Sequence, residues 1–272
     1  MNLVRSEFLK IRTTNAWWLF ALGAFGMLAL TFLINAVGAH FSLGESAPQD
    51  VDPQVAATYN PVFQAANLYT SGQFFGLLFV LLLGIVVITS EFQHQTVTTT
   101  FLTTPHRTSV ILAKFVAAAI AGFVFWLFTT ALNIPATIIF MSAEGFDNYL
   151  SDTGVLRAIG LNLIAYLLWG ILGVGFGVLI RSQIGATVTA VVLYLVGTIA
   201  GAVFFTLFAD WLNADWFEDL QFGLPSIASG LMVSGTNIPG QPQYWVGAVV
   251  LVAWAVATGV IGTMITRTRD IS

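Results

Sequence analysis

Residues 71–90 read SGQFFGLLFVLLLGIVVITS and contain no Asp, Glu, Lys or Arg. A helix of about 20 apolar residues matches the thickness of the hydrocarbon core of a bilayer. The apolar residues are continuous rather than alternating, which favours a helix over a strand of a membrane barrel. Glu91 follows directly and begins a polar segment. This stretch is therefore predicted to cross a membrane and to leave it at Ser90.

Five further stretches have the same character, at residues 16–39, 110–140, 158–180, 184–209 and 244–265. The only acidic or basic residue in any of them is Lys114, whose long side chain could reach the interface from its position near the start of a span. Charged residues make up 8% of the chain, against roughly 25% in soluble domains. The composition predicts an all-α integral membrane protein, with six transmembrane helices in a single domain over residues 1–272.

The first apolar stretch has a second interpretation, because Arg5, Lys10 and Arg12 precede it and residues 37–39 resemble a signal-peptide cleavage site. The apolar region of a signal peptide is usually about 7–15 residues long. The stretch 16–39 is longer, which favours a membrane span.

The distribution of charge predicts the orientation, since basic residues favour the cytoplasmic side. If the N-terminus is cytoplasmic, the cytoplasmic segments contain Arg5, Lys10, Arg12, Arg107, Lys114, Arg181, Arg267 and Arg269, and only Arg157 lies outside. Most acidic residues are then external: Glu45, Asp50, Asp52, Glu144, Asp147, Asp152, Asp210, Asp215, Glu218 and Asp219. Glu7, Glu91 and Asp270 are internal. Both termini are therefore predicted to be cytoplasmic.

Two segments outside the spans carry apolar patterns of their own. In residues 1–14, Val4, Phe8 and Ile11 share one helical face, which is typical of an interfacial helix. A simple basic flank that sets topology explains the segment equally well. Residues 210–243 mix acidic and aromatic side chains, which predicts an external re-entrant or interfacial helix. An aromatic belt at the end of the fifth span is the alternative.

Residues 91–109, EFQHQTVTTTFLTTPHRTS, form the largest predicted cytoplasmic loop. Val97 and Phe101 lie one helical turn apart and Pro105 would end a helix, so a short helix parallel to the membrane is expected. Such a helix would offer a docking surface on the cytoplasmic face. A solvated connector is the alternative.

Several kinds of chemistry lack the residues that they need. The chain has no G-x-x-x-x-G-K-S/T loop for ATP, no basic patch interleaved with aromatics for nucleic acid, and no cysteine. The spans contain no Asp or Glu, so ion-coupled transport has little to act on. Its three histidines, His40, His94 and His106, lie at or beyond span ends, which does not support a metal site. We expect no catalytic residue and no cofactor in this chain.

Three features resemble the permease subunits of type-2 ATP-binding-cassette (ABC-2) exporters. The opening MNLVRSEFLKIRTTNAWW is similar to an amphipathic helix that leads into the first span. Ser90-Glu91-Phe92, Gln95-Thr96, Thr103-Thr104-Pro105, Arg107 and Lys114 resemble the family's loop motif, with Gln95 in place of the usual glycine. The third feature is the six-span plan with an external segment before the last span.

The resemblance implies a multi-pass permease in the cytoplasmic membrane of a bacterium. In the family, two permeases, identical or homologous, combine with two ATPase subunits, which bind ATP and Mg. The first cytoplasmic loop is a coupling helix that docks into an ATPase subunit. The candidate contacts are then Glu91, His94, Thr96, Thr99, Thr104, Pro105 and Arg107.

The resemblance also implies a substrate path between the two permeases, lined by the second and fifth spans. The apolar candidates are Phe75, Phe79, Phe204, Phe205 and Phe208, although each could instead face lipid or the core. The substrate could be a drug, an antimicrobial peptide, a lipid or a glycan. Two alternatives to an exporter permease stay open: a passive channel or energy-independent carrier, and a non-transporting membrane partner or immunity-type protein.

Overall fold

A computed structural model describes residues 2–13, 16–48, 51–93, 107–180, 182–238 and 240–268. The described residues form helices and connecting turns, without a β-strand among them. This confirms the all-α class that the composition predicts.

The helices follow one another with short connections. They are α1 Asn2–Thr13, α2 Ala16–Ser42, α3 Pro53–Ala57, α4 Pro61–Tyr69, α5 Gln73–Gln93, α6 Arg107–Ala143, α7 Thr153–Leu179, α8 Gln183–Leu212, α9 Asp215–Glu218, a 3₁₀ turn Asp219–Gly223, α10 Pro225–Val233 and α11 Tyr244–Thr268. Within the described residues, six helical stretches are long and apolar enough to cross a membrane, namely α2, α4 with α5, α6, α7, α8 and α11. The six predicted spans are thus confirmed as helices of suitable length and composition.

The centre of the bundle is the contact between α5 and α7. A Cβ atom on Gly84 would lie 2.5 Å from the carbonyl oxygen of Gly170, and one on Gly173 would lie closer still to the carbonyl oxygen of Leu81. Real side chains do not tolerate such approaches, so glycine is what lets the two backbones touch. The second and fourth spans therefore form the closely packed core of the bundle.

The second span is longer than the sequence predicts, because α4 extends it beyond a break at residues 70–72. Gly72 has a φ of +79° at this break, a conformation that glycine adopts without strain. The Asn133 side chain on α6 donates hydrogen bonds to the carbonyls of Tyr69 (3.2 Å) and Ser71 (2.9 Å). A buried amide thus satisfies backbone groups that the break would leave without partners.

The fifth span, α8, lies at the edge of the bundle. In the most apolar part of α8 only 6% of the residues are buried, against 72% in the second span. The preceding helix α7 ends at Leu179 and α8 begins at Gln183, so the connection between these two spans is short. Most of the α8 surface is therefore free to meet lipid or another protein.

The segment 210–243 is largely helical, and its most buried part lies after the acidic and aromatic residues. α8 continues to Leu212 and ends at Asn213, whose φ of +47° is left-handed. α10 then packs against α7 and α11, with Ala228 and Met232 fully buried. The indole of Trp169 on α7 donates to the Ser229 hydroxyl at 2.7 Å. This segment is therefore built into the bundle.

Candidate functional site: a buried ion-pair cluster

Four charged side chains meet where α1, the end of α5 and the start of α6 converge. The Lys114 ammonium lies 2.7 Å from a Glu7 oxygen and 2.9 Å from a Glu91 oxygen. Lys10 contacts the same two carboxylates, at 2.8 Å from Glu7 and 2.5 Å from Glu91. We call these residues the charge cluster. Its two cations and two anions balance one another.

Three members of the charge cluster are removed from solvent. The exposed fraction of the side chain is 1% for Lys114, 4% for Glu7 and 5% for Glu91, against 44% for Lys10. Lys114 also donates to the carbonyl of Val87 at 3.4 Å. Buried charges are tolerated when they are paired and hydrogen-bonded, and removing one partner leaves the others uncompensated. The cluster therefore fixes three segments of the chain to one another.

The carboxylates of the cluster also change the pKa of Lys10. Partial burial alone would lower the pKa of Lys10, but the hydrogen bonds and charges of Glu7 and Glu91 outweigh it and raise this pKa above its ordinary value. The raised pKa means that the cluster favours the charged form of Lys10, which contributes a positive charge to it.

The described side chains of α1 leave both interpretations of residues 1–14 open. Val4 is half-buried and Phe8 is 41% exposed, whereas Glu7 is buried and reaches into the bundle. The side chain of Ile11 lies outside the description. The ion pairs of Glu7 hold α1 to the bundle, and the interfacial helix stays a prediction.

The position of Lys114 corrects a prediction from the sequence. Its side chain does not extend to the interface, since Glu7 and Glu91 bind it inside the protein. The sequence alone could have indicated that Glu7 pairs with Lys114, because a lone charge in a span requires a partner. Glu7 is the only acidic residue within the basic N-terminal segment.

The candidate coupling residues are described only in part. Glu91 is 4% exposed and belongs to the charge cluster. Arg107 is the first residue of α6, and its side chain is not described. His94, Thr96, Thr99, Thr104 and Pro105 lie outside the described residues. The docking assignment therefore stays a prediction.

The candidate path residues fall into two groups. Phe204, Phe205 and Phe208 on α8 gather around Phe217, with ring centroids 5.6–6.3 Å from it. On α5, Phe79 contacts Phe20 of α2 at 6.1 Å, and Phe75 contacts Phe74 at 5.2 Å. Among the described residues, no ring contact joins the two groups. Their assignment to a path between two permeases stays a prediction.

The described residues contain no group of three or more His, Cys, Asp or Glu side chains that could hold a metal ion. His40 instead lies 2.9 Å from Glu144, where it links the ends of α2 and α6. That pair lies at the end of the bundle opposite the charge cluster.

Six long apolar helices define this chain as a multi-pass membrane protein. Residues 3–201 match the family model described as ABC-2 family transporter protein. The match covers well over half of the sequence, so the chain belongs to the ABC-2 transporter family and is a membrane permease of an ABC transporter. No curated protein matches the chain significantly. The resemblance to the ABC-2 family is thereby confirmed, and the matched range includes every residue of the charge cluster.

Proposed function

We propose that this chain is the membrane-spanning subunit of an ATP-driven exporter in a bacterial cytoplasmic membrane. Two permeases would enclose the substrate path, and separate ATPase subunits would bind ATP and Mg. Both termini and residues 91–109 would face the cytoplasm, as the distribution of basic residues favours. α1 would lie at the cytoplasmic interface.

The observation that supports this function is the position of the charge cluster. Residues 94–106 join α5 to α6, and the cluster lies where those two helices meet α1. A force applied to the loop by an ATPase subunit would therefore reach the second span, the third span and α1 together. The close α5–α7 contact would carry the movement to the fourth span.

In this mechanism ATP binding closes the ATPase dimer and draws the two docked loops together. A ligand shifts a conformational equilibrium only by its different affinity for the two states. The coupling loop must therefore transmit that difference without yielding, and buried ion pairs at its base resist separation. Glu91 would act by positioning the loop, while Thr96, Thr99, Thr104, Pro105 and Arg107 would supply contacts with the ATPase subunit.

The exposed fifth span supports a permease dimer. Only 6% of the residues in the apolar part of α8 are buried, so this helix has a free face along most of its length. Phe204, Phe205 and Phe208 lie on the same helix. A second permease, identical or homologous, would cover part of this face and complete the path.

Co-purification tests the proposal. A tagged chain is extracted from native membranes in mild detergent, and its partners are identified by mass spectrometry. We expect an ATPase subunit of the ABC type. A Thr104→Asp variant should lose that subunit, whereas Thr236→Asp in the segment 210–243 should keep it.

Recovery of equal amounts of ATPase with both variants would contradict docking at the loop. A chain that moved cargo in vesicles without any ATPase would instead support the passive carrier. A complex that hydrolysed ATP without transport would support the non-transporting partner.

A further inference from the structure

A cavity of about 270 Å³ lies between α8 and α11, apart from the charge cluster and from the phenylalanines of the proposed path. α5 and α7 form its inner wall, and the start of α10 closes one end. Leu193 and Trp254 line it and are 57% and 43% exposed, so it opens on the membrane-facing surface between the fifth and sixth spans. We call it the lateral cavity.

The lining of the lateral cavity carries no charge. Acidic, basic and histidine side chains are absent from its described wall, which includes the apolar groups of Leu81, Leu172, Phe176 and Trp169. A charged ligand would lose its hydration there without gaining a counter-charge. The occupant must therefore be uncharged and largely apolar.

Each hydroxyl group of the described lining donates its proton in a hydrogen bond within the protein. Thr198 donates to the carbonyl of Tyr194, so Ser226, whose oxygen lies 2.5 Å from that of Thr198, must donate to Thr198. Thr258 donates to the carbonyl of Trp254 at 2.8 Å. Tyr194 donates to the carbonyl of Phe74 at 2.6 Å.

The two indole N–H groups of the lining also donate hydrogen bonds within the protein. Trp169 donates to Ser229, and Trp254 donates to the carbonyl of Gly223 at 3.0 Å. Each hydroxyl oxygen still has acceptor capacity, while the side-chain protons have partners. The lateral cavity thus offers hydrogen-bond acceptors and no free side-chain donor within the described lining.

We propose that the lateral cavity binds small, uncharged, mainly aromatic molecules that carry an N–H or O–H donor. A cavity of 150 Å³ holds benzene, so a volume of about 270 Å³ suits a molecule of about two fused rings. Aromatic side chains in the wall, including Trp169 and Phe176, favour a flat ligand. Such molecules partition into a bilayer and would enter from the side.

Gly197 provides a way to fill the cavity. It lines the cavity, and a Cβ atom built on it meets no atom within 4 Å. Gly197→Leu should therefore occupy the space without a backbone clash. Gly160→Leu is the matched control, because Gly160 also lies on a spanning helix with nothing within 4 Å and does not line the cavity.

Binding is measured by equilibrium dialysis of indole against the purified chain in lipid nanodiscs, with empty nanodiscs subtracted. The assay contains no ATPase, so its outcome is independent of the proposed exporter function. We expect saturable binding in the wild type and in Gly160→Leu, and at least a tenfold loss in Gly197→Leu. Benzofuran, which has nearly the same shape but no donor, should bind about fivefold more weakly than indole, as one hydrogen bond predicts.

Ser226→Ala provides a second test that does not depend on filling the cavity. Loss of this acceptor should reduce the preference for indole over benzofuran only in part, because Thr198, Thr258 and Tyr194 keep acceptor capacity, while benzofuran binding persists. Equal binding of the two compounds to the wild type would overturn the donor requirement. Equal losses of binding in both glycine variants would overturn the site. Binding of indole that appears only after lipid is removed would also overturn it, because an acyl chain would then be the occupant of the cavity.

Discussion

The Lys114 ammonium and the Glu7 carboxylate lie 2.7 Å apart although 107 positions separate them in the chain. This pair fastens the N-terminal helix to the beginning of the third span. Glu91 completes the arrangement from the end of the second span. The region that precedes the proposed coupling loop is thus joined to the region that follows it by buried ion pairs.

The charge cluster should be sensitive to loss of its central cation. Lys114→Met leaves two buried carboxylates with only the half-exposed Lys10, and we expect a loss of about 3–5 kcal/mol in the free energy of unfolding. Thermal unfolding in detergent measures it as a lower Tm. Lys10→Met should cost less than Lys114→Met, because Lys10 is 44% exposed and water screens its contacts with the two carboxylates. Equal shifts in the two variants would show that Lys114 has no special role.

Loss of Glu91 should weaken coupling without preventing membrane insertion. Glu91→Gln keeps the size of the side chain but removes the charge shared by Lys10 and Lys114. We expect ATP hydrolysis by the assembled complex to fall severalfold, and Arg107→Ala to have a similar effect through the proposed docking contact. Glu144→Gln is the control, because Glu144 pairs with His40 at the opposite end of the bundle. Unchanged hydrolysis in Glu91→Gln would contradict the positioning role.

The orientation can be measured directly, because the chain contains no cysteine. A single cysteine introduced as Thr99→Cys should react with a membrane-impermeant maleimide only after the cells are opened. Ser151→Cys, at an exposed position, should react in intact cells. The reverse pattern of labelling would invert the proposed topology.

The α5–α7 contact should not accept a side chain. In Gly173→Ala the new Cβ would lie 3.0 Å from the Leu81 carbonyl carbon and closer still to its oxygen, so we expect a loss of about 1–3 kcal/mol, as for overpacking. The reduced Tm would be compared with that of Gly26→Ala, where a Cβ meets no atom within 4 Å. A Tm for Gly173→Ala at or above that control would show that the helices can separate freely.

A permease dimer that packs through the fifth span predicts cross-linking at its exposed face. Ile199→Cys, at a position 67% exposed on α8, should give a disulfide-linked dimer under mild oxidation. Ile139→Cys is similarly exposed, at 71% on α6, and should remain monomeric. Cross-linking from Ile139 alone would place the permease contact on another span.

The transmembrane spans could be predicted from the sequence because hydrophobicity is a local property. A segment such as 71–90 must lie in lipid or in a core whatever its neighbours are, and its length selects a helix. The same argument failed for residues 61–69, since α4 is short and contains polar residues such as Gln64. Its burial depends on α6 and α7, which the local sequence does not specify.

By itself, therefore, the sequence determined six apolar helices, and it predicts a polar loop between the second and third. The tertiary structure decided which charges meet, because Glu7 finds Lys114 only when α1 folds back against α6. It also decided that Gly84 and Gly173 touch while Gly197 borders an open space. These outcomes depend on how helices distant in the chain are arranged, and no local pattern of residues encodes that arrangement.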